Sequence, residues 1–316
     1  MAFRIGFLGS PEFAAVSLKK LLETGAIVAG VVTAPDRPKG RSLKSQPTPV
    51  SILAQQAGLP VLTPPDVNVP EVVQTLRSWH VNIIIVVAFG QILKEPLLDL
   101  PPLGCINLHP SLLPLYRGAA PIQRALMEGR TQTGVTVARM VRKLDAGDIL
   151  AQQREVIRPG DTFGLLHHSL ADTGAELLVE VLKALASGTH KAVAQDEAEA
   201  TYALKLKREE EFIRWENPAS QIRNLVRALN PAPGAASVLL YNTAREEVKI
   251  WSVREDEAVS RKAVAGTILE VGKTGMRVMT GRGSLWIQEI QSASRAKMPI
   301  AQWLLGHPVR MGDGFQ

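Results

Sequence analysis

Cysteine is almost absent from this chain. A single Cys105 among 316 residues cannot close an intramolecular disulfide, which excludes a disulfide-framed fold. It lies in the apolar stretch Cys105-Ile-Asn-Leu-His109, where a reduced, packed thiol is expected. Long hydrophobic runs are missing as well. The longest, Ile83 to Phe89, falls far short of the roughly 20 residues a membrane-spanning helix needs. The opening Met-Ala-Phe-Arg-Ile-Gly-Phe-Leu-Gly9 soon meets Pro11 and Glu12, so it reads as a strand and not as the apolar region of a secretion signal. Together these absences point to a cytosolic protein without a membrane partner. Several catalytic signatures are lacking too. There is no Gly-x-Ser-x-Gly elbow, no Cys/His spacing for a metal and no Walker loop, so no metal cofactor is expected. Gly6-Phe-Leu-Gly9-Ser-Pro11 fails the G-x-G-x-x-G spacing of dinucleotide sites. No internal repeat or low-complexity tract appears.

The length allows two domains, and a 46% hydrophobic fraction can fill ordinary cores. A formal charge of +6 and a sequence pI near 9.5 permit a polyanionic partner without requiring one. Along the first half, strands alternate with helices. Phe3 to Leu8 reads as a strand, with Ser10 as helix N-cap, Pro11 at the first helical position and Gly25 as the stop. Ile27 to Thr33 completes a βαβ unit of the kind that builds parallel sheets. Helices follow at 49–57 and 70–80, a short strand at Val61-Leu62, and at 82–89 a strand without alternation, whose continuous apolarity indicates cover on both faces. Residues 34–49 form a Pro-rich loop, long for a connection of this kind, carrying Arg37, Lys39, Arg41 and Lys44 against Asp36 alone. Four such cations suit phosphate contact, although a solvated surface loop has the same composition.

Residues 105–121 concentrate the polar chemistry at the end of an apolar strand: Asn107, His109, Ser111 and Arg117. In a strand alternate side chains share a face, so Asn107 and His109 converge at the carboxyl end, where open α/β sheets bind ligands. A helix at 120–128 and an alternating strand at 134–140 come next. Leu144-Asp145-Ala-Gly-Asp148 then sets two carboxylates around a small-residue turn; this is a plain turn cap unless it faces His109. Residues 161–188 carry a long helical pattern interrupted by Gly174, with His167 and His168 read as structural because neighbouring helical positions face apart. Periodicity fades over 190–207, which reads as a linker. Beyond it come a helix near 218–229 and short strands at 237–241, 248–253, 266–271, 275–280 and 284–290, the pattern of a small barrel. From residue 208 onward fifteen basic residues face twelve acids, which permits nucleic-acid contact.

An amide can donate to a developing oxyanion, an imidazole can move a proton near neutral pH, and a carboxylate can orient that imidazole. Those roles suit acyl transfer without a covalent enzyme intermediate. A satisfied polar pair at a strand end is the alternative.

Beyond this point the sequence resembles the methionyl-tRNA formyltransferase family. The resemblance rests on Gly9-Ser-Pro-Glu-Phe13, Pro35-Asp-Arg-Pro-Lys-Gly-Arg41, Ala88-Phe-Gly-Gln-Ile-Leu93, Gly104-Cys-Ile-Asn-Leu-His109, Ser111-Leu-Leu-Pro114, Arg117-Gly-Ala-Ala-Pro-Ile122 and Leu144-Asp-Ala-Gly-Asp148. Ala200-Thr-Tyr-Ala203, Asn230-Pro-Ala-Pro-Gly234 and Lys249-Ile-Trp251 extend it through the second half. Ala232 departs from the tryptophan that members often carry there. The resemblance implies an α/β fold: an N-terminal Rossmann-like parallel-sheet formyltransferase domain over 1–189, a linker over 190–207, and a C-terminal OB-like β-barrel that binds tRNA over 208–316. It implies 10-formyltetrahydrofolate as formyl donor and methionyl initiator tRNA as acceptor. It also implies Asn107, His109 and Asp145 as the catalytic trio, with Ser111, Leu112, Leu113, Pro114, Gln91, Ile92 and Leu93 along the folate. Arg37, Lys39, Arg41 and Lys44 fall in the loop that meets the tRNA. The expectation is a monomer. The rival is a folate-dependent formyltransferase acting on a small amine such as a purine precursor or an amino sugar, against which the basic second domain speaks.

Overall fold

The computed structural model describes residues 3–39, 44–256, 263–272 and 275–316, the side chains of 37–39 and 44 excepted. The chain divides into two compact units. The first comprises Met1–Pro121, Gln132–Val156 and His167–Ala203, and the second Ile122–Thr131, Ile157–Leu166 and Leu204–Gln316.

In chain order the first half runs β1 (Arg4–Gly9), α1 (Glu12–Glu23), β2 (Ile27–Val32), β3 (Arg37–Lys39), β4 (Lys44–Gln46), α2 (Pro49–Gln56), β5 (Val61–Leu62), α3 (Pro70–Ser78), β6 (Ile83–Val87), α4 (Glu95–Leu98), β7 (Cys105–His109), β8 (Arg117–Gly118), α5 (Pro121–Met127), β9 (Gln132–Arg139), β10 (Ile149–Val156), α6 (Phe163–Ser187) and β11 (Tyr202–Ala203). Seven strands form one sheet in the order β10-β9-β7-β6-β1-β2-β5. From β7 to β5 the neighbours run parallel, as the βαβ pattern demands, while β9 and β10 extend the sheet antiparallel. All five residues of β6 are buried, which accounts for its unbroken apolarity. Each such aliphatic side chain contributes about 1.5–3 kcal/mol when withdrawn from water. The Cys105 thiol packs beneath β7 within 3.5 Å of the Leu97 carbonyl; burial first, and Asp99 after it, push it up to about 12, so it stays a neutral thiol.

Four local expectations change. Ser10 does not cap α1: Pro11 holds the cap position without a side-chain bond. The Ser10 hydroxyl instead accepts the Ala34 N–H at 3.0 Å, tying the end of β1 to the end of β2. The segment 34–49 is not wholly irregular, because β3 and β4 pair antiparallel with Arg37 opposite Gln46 and Lys39 opposite Lys44. Strand β9 is buried on both faces, since it lies inside the sheet between β7 and β10, and its Thr136 hydroxyl is satisfied by donating to the Ser111 carbonyl at 2.7 Å. Helix α6 runs unbroken through Gly174. A Cβ at that position would meet a Leu108 methyl at 2.9 Å, so the glycine permits the helix to approach β7 instead of ending it. His167, half-buried on α6, meets the Phe13 ring edge-on at 5.3 Å, and burial holds its imidazole below the usual range.

The second unit contains α7 (Ala219–Ala228), β12 (Ala235–Tyr241), β13 (Ala244–Asp256), β14 (Ile268–Gly272), β15 (Gly275–Met279), β16 (Ser284–Ser292), β17 (Met298–Pro299), α8 (Ile300–Leu304) and β18 (Gly314–Phe315). Its antiparallel sheet runs β14-β15-β16-β13-β12-β18, and a Thr267 to Gly314 bridge brings its two ends together into a nearly closed barrel. Closure removes exposed sheet edges. Trp215, Ile250, Leu285, Ile287 and Trp303 fill the interior. Among the described residues no helix is long and apolar enough to cross a membrane.

Leu108 is buried, so Gly174→Leu should cost about 1–3 kcal/mol by overpacking α6 against β7. A urea-unfolding midpoint of the full chain equal to that of the unsubstituted protein would refute this contact.

Candidate active site

Parallel β6 and antiparallel β9 flank β7, pairing Asn107 with Val86 and Ala138, and His109 with Thr136. The strand's carboxyl end therefore opens between two covered neighbours. His109 is 4% exposed, and its Nε2 lies 2.9 Å from the Tyr116 carbonyl oxygen. A carbonyl can only accept, so Nε2 carries a hydrogen and donates it. The other ring nitrogen, Nδ1, is turned toward Asp145 Oδ2 at 3.7 Å.

The turn after β9 folds back over this end, which answers the condition set by the sequence: Asp145 faces His109. Its carboxylate is gripped from two sides. The Gly118 N–H donates to Oδ2 at 2.8 Å, and Asn107 Nδ2 donates to Oδ1 at 3.3 Å. Gly118 has φ +117, and a Cβ there would stand 2.9 Å from the Ala203 carbonyl oxygen, so only glycine presents its N–H from this position. Asp145 itself takes φ +51, an uncommon state for a residue with a Cβ. Asp148 does not join the group: its side chain is exposed, and its carbonyl accepts the Arg139 N–H at 2.9 Å.

The chain that brings an amide and an imidazole against one carboxylate matches a known family by its sequence. The family model described as formyl transferase matches residues 3–182, and that described as formyl transferase, C-terminal domain, matches 205–308. The methionyl-tRNA formyltransferase of Moorella thermoacetica is 46% identical over 312 residues, covering 98% of each chain. The chain belongs to the methionyl-tRNA formyltransferase family. A second family relative, from Trichlorobacter lovleyi, is 43% identical and covers 98% of this chain and 96% of its own. Among solved structures, an N-formyltransferase from Helicobacter canadensis in complex with folinic acid and dTDP-3-aminofucose superposes with a TM-score of 0.66, covering 92% of this chain and 99% of its own. At 17% identity that likeness concerns the fold alone.

The remaining residues that the methionyl-tRNA formyltransferase resemblance singled out lie in different settings. Ser111 is fully buried and donates to the Leu115 carbonyl at 2.6 Å, and Leu113 is buried, whereas Leu112 and Pro114 are partly exposed. Gln91 accepts the Val67 N–H at 2.8 Å, Leu93 is in the core, and Ile92 projects outward at 73% exposure. Arg37, Lys39 and Lys44 lie on β3 and β4, and Arg41 lies outside the described residues.

Sequence reasoning missed a polar layer behind the trio. Arg117 is fully buried, and its guanidinium makes paired bonds to Glu197, Nη1 at 3.1 Å and Nη2 at 2.9 Å. Gln195 and Glu197 stand in the stretch expected to be a linker, which packs on the first unit through β11 pairing with β8. Only the isolated polarity of Gln195-Asp-Glu197 could have hinted at this. Hydrogen bonds from Arg117, and next from Lys143, hold the Glu197 carboxyl down at about 2. Such a depressed group adds stability that is complete above its ordinary value of 4.5 and is lost as pH falls through about 2. An NMR titration of the Glu197 carboxyl carbon should accordingly find a midpoint near 2, with Arg117→Met moving it back toward 4.5. A midpoint already at the ordinary value would show that the pair between the buried guanidinium and the exposed Glu197 carboxylate does not exist in solution.

Proposed function

We propose that this chain transfers the formyl group of 10-formyltetrahydrofolate to the α-amine of methionyl initiator tRNA, yielding N-formylmethionyl-tRNA for translation initiation in the cytoplasm. One observation carries the reading: Asn107, His109 and Asp145 meet at the carboxyl end of β7 in a chain related over its whole length to proteins named for this activity. The folinic acid bound by the Helicobacter canadensis enzyme, which shares the fold, supports a folate donor.

On this reading the amine lone pair attacks the formyl carbon, and the carbonyl π pair moves onto oxygen. Asn107 has two amide hydrogens. One is held by Asp145, and the second donates to the oxyanion. With Nε2–H fixed on Tyr116, the proton leaving the amine moves through Nδ1 of His109, and Asp145 steadies the imidazolium so formed. The oxyanion then collapses, the bond to folate N10 breaks, and N10 takes up the proton. Ser111 to Pro114 and Gln91 to Leu93 line the folate, with Gln91, Ile92, Leu112 and Pro114 as the members that are not buried. The 34–49 segment meets the acceptor end of the tRNA through Arg37, Lys39, Arg41 and Lys44. We assign catalysis to 1–189 and tRNA binding to 208–316, joined by 190–207, in a monomer; the break between the two family models at 182 and 205 supports this division.

His109→Ala and Asp145→Ala should each lower formyl transfer at least about 100-fold while the chain stays folded. The assay is formation of formylmethionine from the folate donor and charged initiator tRNA, with uncharged tRNA as control. Turnover near that of the unsubstituted chain in either variant refutes the mechanism, and preferred use of an aminosugar or purine-precursor amine refutes the acceptor. Arg41→Ala should weaken tRNA use and reduce the slope of log affinity against log salt by about 1. A slope that does not change removes the loop from the tRNA site.

A further inference from the structure

The Asp145 carboxylate sits on a backbone held in a sparsely populated conformation, φ +51, which persists only where its surroundings enforce it. What enforces it is found in sequence 50 residues away. Gln195 Nε2 donates to the Asp145 carbonyl at 2.8 Å and to the Gly147 carbonyl at 2.6 Å. Its Oε1 accepts from Arg117 Nε at 3.1 Å and Nη2 at 2.8 Å. A side-chain amide has two donors and one oxygen with two lone pairs, so every hydrogen-bonding position of Gln195 is occupied. One side grips the Asp145 turn and the other grips the residue before Gly118, whose N–H holds the Asp145 carboxylate. Glu197 then locks the buried guanidinium from behind. We infer that Gln195, in the stretch between the two matched family regions, is a positioning residue that sets the Asp145 carboxylate against His109 by clamping its turn to Arg117. This rests on the formyl-transfer reading above.

The test compares the full chain with Gln195→Met and Gln195→Glu in steady-state formylation of charged initiator tRNA. The methionine is similar in size and breaks both grips. The glutamate keeps the acceptor for Arg117, so the segment stays docked, but it turns an oxygen onto two carbonyls. In each variant kcat should fall about ten-fold or more, because displacements under an ångström suffice, with KM for tRNA and folate within about two-fold. A limb of the kcat–pH profile should also move, which a purely structural role would not cause. If Gln195→Met fails to fold, Gln195→Glu decides. A folded variant with unsubstituted kcat and an unmoved limb overturns the inference, and so does a rise in KM alone. An unsubstituted chain that forms no product removes the functional reading and the inference with it, whereas equal kcat in all three proteins removes only the inference.

Discussion

Everything at the carboxyl end of β7 depends on how one carboxylate is held. Asp145 accepts from the Gly118 N–H at 2.8 Å and from the Asn107 amide at 3.3 Å, and those two donors determine which way it faces. A carboxylate needs several lone pairs satisfied when it is nine-tenths enclosed, as Asp145 is at 11% side-chain exposure. Both donors come from segments that the sheet and the turn after it bring together. The imidazole is oriented by a different contact, the Tyr116 carbonyl at Nε2. Two independent anchors therefore leave Nδ1 of His109 facing Oδ2 of Asp145 across 3.7 Å.

Fold and site are linked through close packing beneath them. Leu108, between Asn107 and His109, points away from the site into the layer where α6 passes at Gly174. The antiparallel β9 contributes on the other side, since its Thr136 hydroxyl accepts the Leu113 N–H at 3.1 Å and fixes the turn after His109. Charge follows the same logic. The buried Arg117 is held above its usual value chiefly by Glu197, so the layer behind the trio keeps its positive group paired.

Chemical legibility differed between kinds of residue. The βαβ alternation, the buried β6 and the short strands of the second unit were readable because burial imposes a local period on the sequence. Asn107 and His109 were readable because a strand puts alternate residues on one face, and Asp145 only through family resemblance, since a turn carboxylate has no periodic signature. Gln195 offered no more than the isolated polarity of its own short stretch. Its role comes from four hydrogen bonds to partners 48 to 78 residues distant, and nothing in its immediate neighbours reports them. Ser10 failed as a cap for a related reason: a tertiary partner at Ala34 claimed its hydroxyl before the local helix could.

By itself the sequence determined most of the strands and helices, the two-part organisation, the neutral buried thiol and two of three candidate catalytic groups, because each follows from composition or short-range spacing. Only the tertiary structure decided that Asp145 faces His109, that Gly174 carries α6 past β7 and does not interrupt it, and that the stretch near Gln195 packs against the Asp145 turn. Those outcomes depend on hydrogen bonds and close packing between residues far apart in the chain, which exist only once the sheet has assembled.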